Sequence, residues 1–307
     1  MEALTPQGRG HVAMFAFSAL VAGSFSLGSM IANEIAPAAL TAMRFAIAAG
    51  IIGVAALLTT GLSSGSAQAP WRYFVLGGLF ATYFVLMFYG LKTAPSVSAA
   101  AVFTLTPIMS AFAGWFLLRQ ITTPRMAFAL TVGAFGALWV IFRADWKSFQ
   151  AFEIGIGELI YFCGCAAHAV YTPMVRKLNR GEPAVVFTFG TLMAGCLLLV
   201  IYGWRDIVST NWLTLPVMVW SGLLYLSVFA TAASFVLVQF AAMRLPSAKV
   251  MAYTYLVPSW VILWEVALGN GTPPGLIILG VLLTVVALLL LLKDEAPSPT
   301  SKQSVLD

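Results

Sequence analysis

Apolar runs of helix length recur along the whole chain, at 11–31, 36–59, 72–92, 95–118, 124–142, 154–176, 183–203, 214–242, 247–269 and 273–292. Each is long enough to cross roughly 30 Å of hydrocarbon. They are continuous and do not alternate apolar with polar, which predicts helices. In lipid every backbone polar group must be satisfied internally, and a helix does this within one segment. The junctions carry breakers: Ala36-Pro37, Ala69-Pro70, Thr123-Pro124, Glu182-Pro183, Leu245-Pro246 and Pro273-Pro274. Thr60 to Pro70 reads as a flexible loop, and the polar stretch 293–307 as a disordered cytoplasmic tail. The first run exceeds the 7–15 residues of a signal-peptide core and shows no clear small-residue cleavage site, so a spanning helix is expected.

One pattern occurs twice. Pro95-Ser96-Val97-Ser98-Ala99-Ala100 leads on to Thr106-Pro107, and Pro246-Ser247-Ala248-Lys249-Val250-Met251 leads on to Val257-Pro258. Pro95 to Pro246 and Pro107 to Pro258 are both separated by 151 residues, and a basic residue, Lys92 or Arg244, precedes each copy. Gly50 with Gly195 and Phe17 with Phe162 repeat at an offset of 145. Five is an odd number of crossings, so two five-helix halves enter the membrane from opposite sides. The expected fold is an all-α integral membrane protein with ten transmembrane helices in two inverted repeats, residues 1–147 and 148–292. Matched, proline-interrupted helices in two halves point to a transport site near the midplane.

Composition agrees. The 307 residues are 61% hydrophobic and 9% charged, against about 25% charged in soluble domains. The net charge of +5 sits singly or in small clusters at run ends and is not a nucleic-acid signature. One side receives Arg9, Arg72, Arg119, Arg125, Arg176, Lys177, Arg180, Arg244, Lys249, Lys293 and Lys302, the other Lys92, Arg143, Lys147 and Arg205. The positive-inside rule then puts both termini in the cytoplasm. Cys163, Cys165 and Cys196 lie inside runs with no metal or redox spacing, and no cofactor or metal is expected.

The proline pattern, together with Thr41-Ala42-Met43-Arg44-Phe45 in the second run, resembles the drug/metabolite transporter superfamily and its EamA-type exporters. Apart from the tail, the whole chain is most similar to the YddG-type amino-acid exporters of bacterial inner membranes. The resemblance implies a central cavity surrounded by helices 1–4 and 6–9, with 5 and 10 behind. It also implies export from inside to outside. Where the family often carries Gly-Glu, about a dozen residues past the mid-helix prolines, this chain has Arg119-Gln120 and Asn270-Gly271.

Several residues could carry function. Glu158, Tyr161, Cys165, His168 and Thr172 form one polar stripe at helical spacing, and such a stripe faces the bundle or a cavity. His168 reads as a pathway residue or as a packing histidine. Arg44 and Glu265 are intramembrane opposite charges at similar depth, expected as a gate or charge pair, or else satisfied separately. Ser24, Tyr83, Thr104, Tyr253, Tyr255 and Trp260 join His168 as expected cavity residues, because rings with one polar tip suit an amphipathic substrate. Pro107 and Pro258 are the expected hinges. Trp71, Trp146, Trp204 and Trp212 are assigned to the interfacial belt.

Three function classes compete. A secondary transporter of amino acids, alternatively of another small metabolite or drug, fits the repeat. No Walker motif accompanies it. With Arg44 alone clearly inside, a neutral or zwitterionic substrate is favoured over a phosphorylated one. An intramembrane enzyme lacks a motif: the aspartates lie in loops or tail, and there is no Gly-x-Ser-x-Gly and no His-Glu-x-x-His, so no catalytic residue is assigned. A passive channel would need a continuous polar pore. The expected partners are a small-molecule substrate and membrane lipid, with no nucleic acid. A monomer is expected, with a homodimer as the alternative.

Overall fold

A computed structural model describes residues 5–62, 65, 68–142, 145–147, 154–271 and 274–293. The stretch 294–307, expected as a disordered tail, lies outside the described residues, as do Arg143 and Pro273. The described residues form helices α1 (Pro6–Ile31), α2 (Pro37–Thr59), α3 (Trp71–Leu91), α4 (Ser96–Phe103), α5 (Thr106–Leu118), α6 (Pro124–Ile141), α7 (Ile156–Leu178), α8 (Ala184–Tyr202), α9 (Trp204–Ser209), α10 (Val217–Ser227), α11 (Ser234–Ala242), α12 (Ser247–Ala252), α13 (Val257–Ala267) and α14 (Gly275–Lys293). No strand occurs among the described residues. Nine helical stretches there are long and apolar enough to cross a membrane. The 23-residue α7 is as long, but it carries Glu158, His168, Arg176 and Lys177 and is not one of the nine.

The starts follow from local chemistry. Pro6, Pro37 and Pro124 occupy the first helical positions, where a missing N–H costs nothing. Thr5 and Thr123 side chains cap the N–H groups of Gly8 and Met126. Pro95 and Pro246 precede α4 and α12 with nearly the same backbone, ψ 145° and 147°.

Three crossings are not single α-helices. Thr104 and Leu105 separate α4 from α5, and a 3₁₀ turn, Tyr253–Leu256, separates α12 from α13. Each break lies just before a proline. Pro107 and Pro258 cannot donate to the carbonyls four residues back, Phe103 and Thr254. Thr106 Oγ1 takes up the Phe103 carbonyl at 2.6 Å. The two breaks touch, with the Thr106 and Thr254 hydroxyls 3.3 Å apart. The third irregularity is a π segment, Val228–Ala233, between α10 and α11.

Packing is close where side chains are small. α3 lies against α7 and α8, α1 against α11 and α13, α2 against α8, and α6 against α14. At Gly90 of α3 a side chain would meet the Gly157 carbonyl of α7 at 2.7 Å, so only glycine lets these backbones approach. Phe80, Phe84 and Phe235 stack in the centre, with Phe80 and Phe235 centroids 3.9 Å apart. Among the described residues the one ion pair is Arg72 with Glu182, at 2.7 Å. Arg72 also donates to the carbonyls of Leu178, Gln68 and Ala69, tying α3 to the turn between α7 and α8.

Candidate functional site

A small cavity lies between α1, α3, α7 and α11, lined by Phe17, Val21, Ser24, Phe25, Phe80, Tyr83, Phe84, His168, Ser234 and Phe235. Its free volume is about 10 Å³, room for one water-sized occupant. The polar stripe of α7 faces this interior: Glu158, Tyr161, Cys165, His168 and Thr172 are all buried. The Tyr83 ring stacks on His168 with centroids 4.6 Å apart, and the Tyr83 and Tyr161 hydroxyls are hydrogen bonded at 3.0 Å. Ser24 Oγ and His168 Nδ1 are buried with no hydrogen-bond partner. Buried polar atoms are rarely left so, and here they face a cavity.

Contacts close the bundle on either side of this cavity. Toward the N-terminal end of α1, His11 Nδ1 meets the Tyr253 hydroxyl at 3.1 Å, and Trp260 Nε1 donates to Ser18 Oγ at 3.2 Å. Toward its C-terminal end, the Ser29 and Ser96 hydroxyls are 2.9 Å apart. Ser98 Oγ donates to Glu158 Oε1 at 2.8 Å.

Of the expected cavity residues, Ser24, Tyr83 and His168 line this space and four others do not. Thr104 sits at the α4–α5 break and donates to the Ala101 carbonyl. Tyr253 and Trp260 hold α1, as above. Tyr255 is fully buried on the far side, its ring against Gly133 of α6, while its own carbonyl accepts from Thr284 of α14. For Tyr255 the 3₁₀ turn contributes: it advances about 120° per residue instead of about 100°, so the residues within it do not keep the face that α12 sets.

Arg44 and Glu265 are not paired in this conformation. Arg44 Nε donates to Thr231 Oγ1, and Nη2 donates to the Ala230 carbonyl at 2.8 Å. The guanidinium lies 3.8 Å from the Phe84 ring centre. Glu265 Oε2 instead accepts from Asn270 at 2.9 Å. The π segment explains the choice, because it offers Arg44 the Ala230 carbonyl and a hydroxyl together. Ser234, Phe235 and Thr231 are site residues the sequence reading missed. The Ser234 and Thr231 hydroxyls within an apolar run were the available signal, and Phe235 carried none.

The EamA-like transporter family model matches this chain twice, over residues 8–142 and 155–293. A solved crystal structure superposes with a TM-score of 0.70 at 21% identity, covering 92% of this chain and 96% of that one. The uncharacterized transporter YyaM of Bacillus subtilis is 23% identical over 283 residues, 89% of this chain and 92% of the relative. An uncharacterized transporter of Archaeoglobus fulgidus is 23% identical over 271 residues, 86% and 90% of the respective lengths. With both halves matched by one model, the chain belongs to the EamA-like transporter family and is a membrane transporter.

Proposed function

We propose that this transporter exports amino acids from the cytoplasm of a bacterium across its inner membrane, by alternating access through the cavity between α1, α3, α7 and α11. It does so as ten spans in two inverted repeats, 1–147 and 148–292, with both termini cytoplasmic. The observation that carries the substrate reading is the chemistry of that cavity. Its walls are phenyl and phenol rings, and its unpartnered polar atoms are one hydroxyl and one imidazole nitrogen. Such a surface suits a small molecule with an apolar side chain and one compact polar end.

The repeat is supported by the double family match and by the two proline breaks that meet at Thr106 and Thr254. A reciprocal contact supports it too. A side chain at Gly136 of α6 would meet the Gly280 carbonyl at 2.6 Å, and one at Gly280 of α14 would meet the Gly136 carbonyl at 2.8 Å. Gly136 and Gly280 lie 144 residues apart, close to the 145 of the sequence repeat. The free volume fits an occluded state in which neither mouth is open. Pro107 and Pro258 are the hinges about which α4–α5 and α12–α13 bend between states.

The test is uptake of labelled amino acids into liposomes holding the purified protein, with and without a pH gradient. Saturable uptake of several amino acids, abolished by His168→Ala, is expected. Movement of some other metabolite with no amino acid transported would overturn the substrate reading and leave the transporter standing.

A further inference from the structure

We infer that Arg44 is the anchor for a substrate carboxylate, so that a carboxyl group rather than an ammonium group is what this carrier recognises. The inference rests on the proposed cavity and names the substrate class it takes.

Arg44 is fully buried in the middle of the bundle, and the ion pair of the described residues is elsewhere, at Arg72 and Glu182. A buried cation without a counter-charge is costly in any protein and more so in a membrane. Two of its three nitrogens are satisfied by the π segment, and Nη1 has no partner. The guanidinium sits directly behind the cavity wall. Phe84, over which it lies, is a lining residue. Ser234, another lining residue, shares with it the Ala230 carbonyl. On the open side of the same wall are two further unpartnered buried groups, Ser24 Oγ and His168 Nδ1.

A carboxylate supplies what this cluster lacks. It is a counter-charge for Arg44 and an acceptor for Nη1 and the Ser24 hydroxyl. The lining contains no acidic side chain that could hold an ammonium group by charge. A substrate ammonium would rest against ring faces, a weaker interaction than an ion pair. Reaching Nη1 requires the Phe84 ring to move as the cavity opens. The π segment keeps the guanidinium in place meanwhile, through two bonds that do not involve the substrate.

The experiment uses the full chain in liposomes, with labelled L-phenylalanine and two competitors. 3-Phenylpropionate keeps the carboxylate and lacks the ammonium, and L-phenylalaninamide does the reverse. Phenylpropionate is expected to compete about as well as unlabelled phenylalanine, and the amide about ten- to hundredfold less well. Arg44→Gln should erase that preference, bringing the two competitors within a few fold of each other, and Arg44→Lys should retain it in part. Thr231→Val, which removes the Nε partner and the hydroxyl on the Leu226 carbonyl but leaves the Nη2 bond, should lower stability and leave the ratio. Equal competition by amide and acid in the wild type overturns the inference, as does an Arg44→Gln carrier that still prefers the acid. If Arg44→Gln does not fold, the wild-type competitor series decides alone. If phenylalanine itself is not moved, the amino-acid reading falls separately. A panel of labelled acids and amines then decides this one: transport confined to carboxylates sustains it, and transport of amines alone, or of neither, overturns it.

Discussion

Adding one methyl group at Gly90 of α3 should loosen the bundle and stop transport, while the same change at Gly50 of α2 should do neither. A Cβ at Gly90 would lie 2.7 Å from the Gly157 carbonyl and 2.9 Å from Tyr161 Cβ, both on α7. Ordinary contact begins at 3.4 Å, so α3 and α7 must part locally by about 0.7 Å. Neither obstacle is the end of a flexible side chain, so backbone has to shift. Overpacking of this kind costs about 1–3 kcal/mol. The same two helices carry Tyr83 and Tyr161, whose hydroxyls are hydrogen bonded at 3.0 Å beside the cavity, and a 0.7 Å separation stretches that bond beyond useful length. At Gly50 a Cβ meets nothing within 4 Å, and mid-helix alanine is favoured over glycine by about 0.5–1 kcal/mol. Melting in detergent followed by tryptophan fluorescence, paired with liposome uptake, reads both effects. Gly90→Ala should melt several degrees lower and transport poorly, and Gly50→Ala should match the wild type or exceed it. Equal melting temperatures and equal uptake for the two variants would refute the close-approach argument.

Three more outcomes follow from the same contacts. Glu182 is pushed up by burial, but hydrogen bonds from Arg72 and the Arg180 N–H, with the Arg72 charge, outweigh this and hold its carboxyl below the ordinary 4.5. Its stabilisation is therefore present above pH 4.5 and lost as pH falls through the lowered value. Glu182→Gln should lower stability by about 1.5–3 kcal/mol near neutrality and flatten this acid limb of a melting-temperature profile. Pro107→Ala restores an N–H for the Phe103 carbonyl and favours a continuous fourth crossing, so the melting temperature should hold while transport slows on the order of tenfold. Gln120→Leu strips the acceptor from the Ser247 N–H, 3.1 Å away at the start of α12, and should cost about 1 kcal/mol in thermal melting.

Much of the architecture is legible in the sequence because prolines set the helix starts. The runs expected at 36–59, 124–142 and 183–203 are found as Pro37–Thr59, Pro124–Ile141 and Ala184–Tyr202. A run of apolar residues reports that a segment crosses lipid, not how its backbone is wound. Val228–Ala233 is as apolar as its flanks, so the π segment leaves no trace in hydropathy, and with it the partners of Arg44 stayed hidden. The polar stripe of α7 was readable because that helix keeps its phase from Glu158 to Thr172, and it brings His168 to the cavity. Tyr253, Tyr255 and Trp260 lie in or beyond a break, and residue type alone does not tell which way a ring there points. The partners of Arg44 in this conformation were illegible for a different reason. Sequence shows charges, while the carbonyl that binds Arg44 belongs to an alanine.

The irregular points have a common chemistry that bears on how such a bundle can move. Each break or bulge frees carbonyls inside a bilayer, where no water is at hand and an unmet carbonyl is expensive. In this chain nearby hydroxyls take them up: Thr106 on Phe103, Thr104 on Ala101, Thr231 on Leu226 and Ser234 on Ala230. These donors lie within a turn or so of the carbonyl they serve, so they travel with it when the helix bends. Arg44 and Thr284 are the exceptions, since they reach the Ala230 and Tyr255 carbonyls from other helices. Bending at Pro107 thus breaks few long-range bonds, whereas unwinding the π segment must first release Arg44. A carrier that moves readily at its proline breaks and stiffly at its cation would join its conformational cycle to whatever neutralises that cation, and in this bundle the cation keeps one nitrogen, Nη1, without a partner behind the Phe84 ring of the cavity wall.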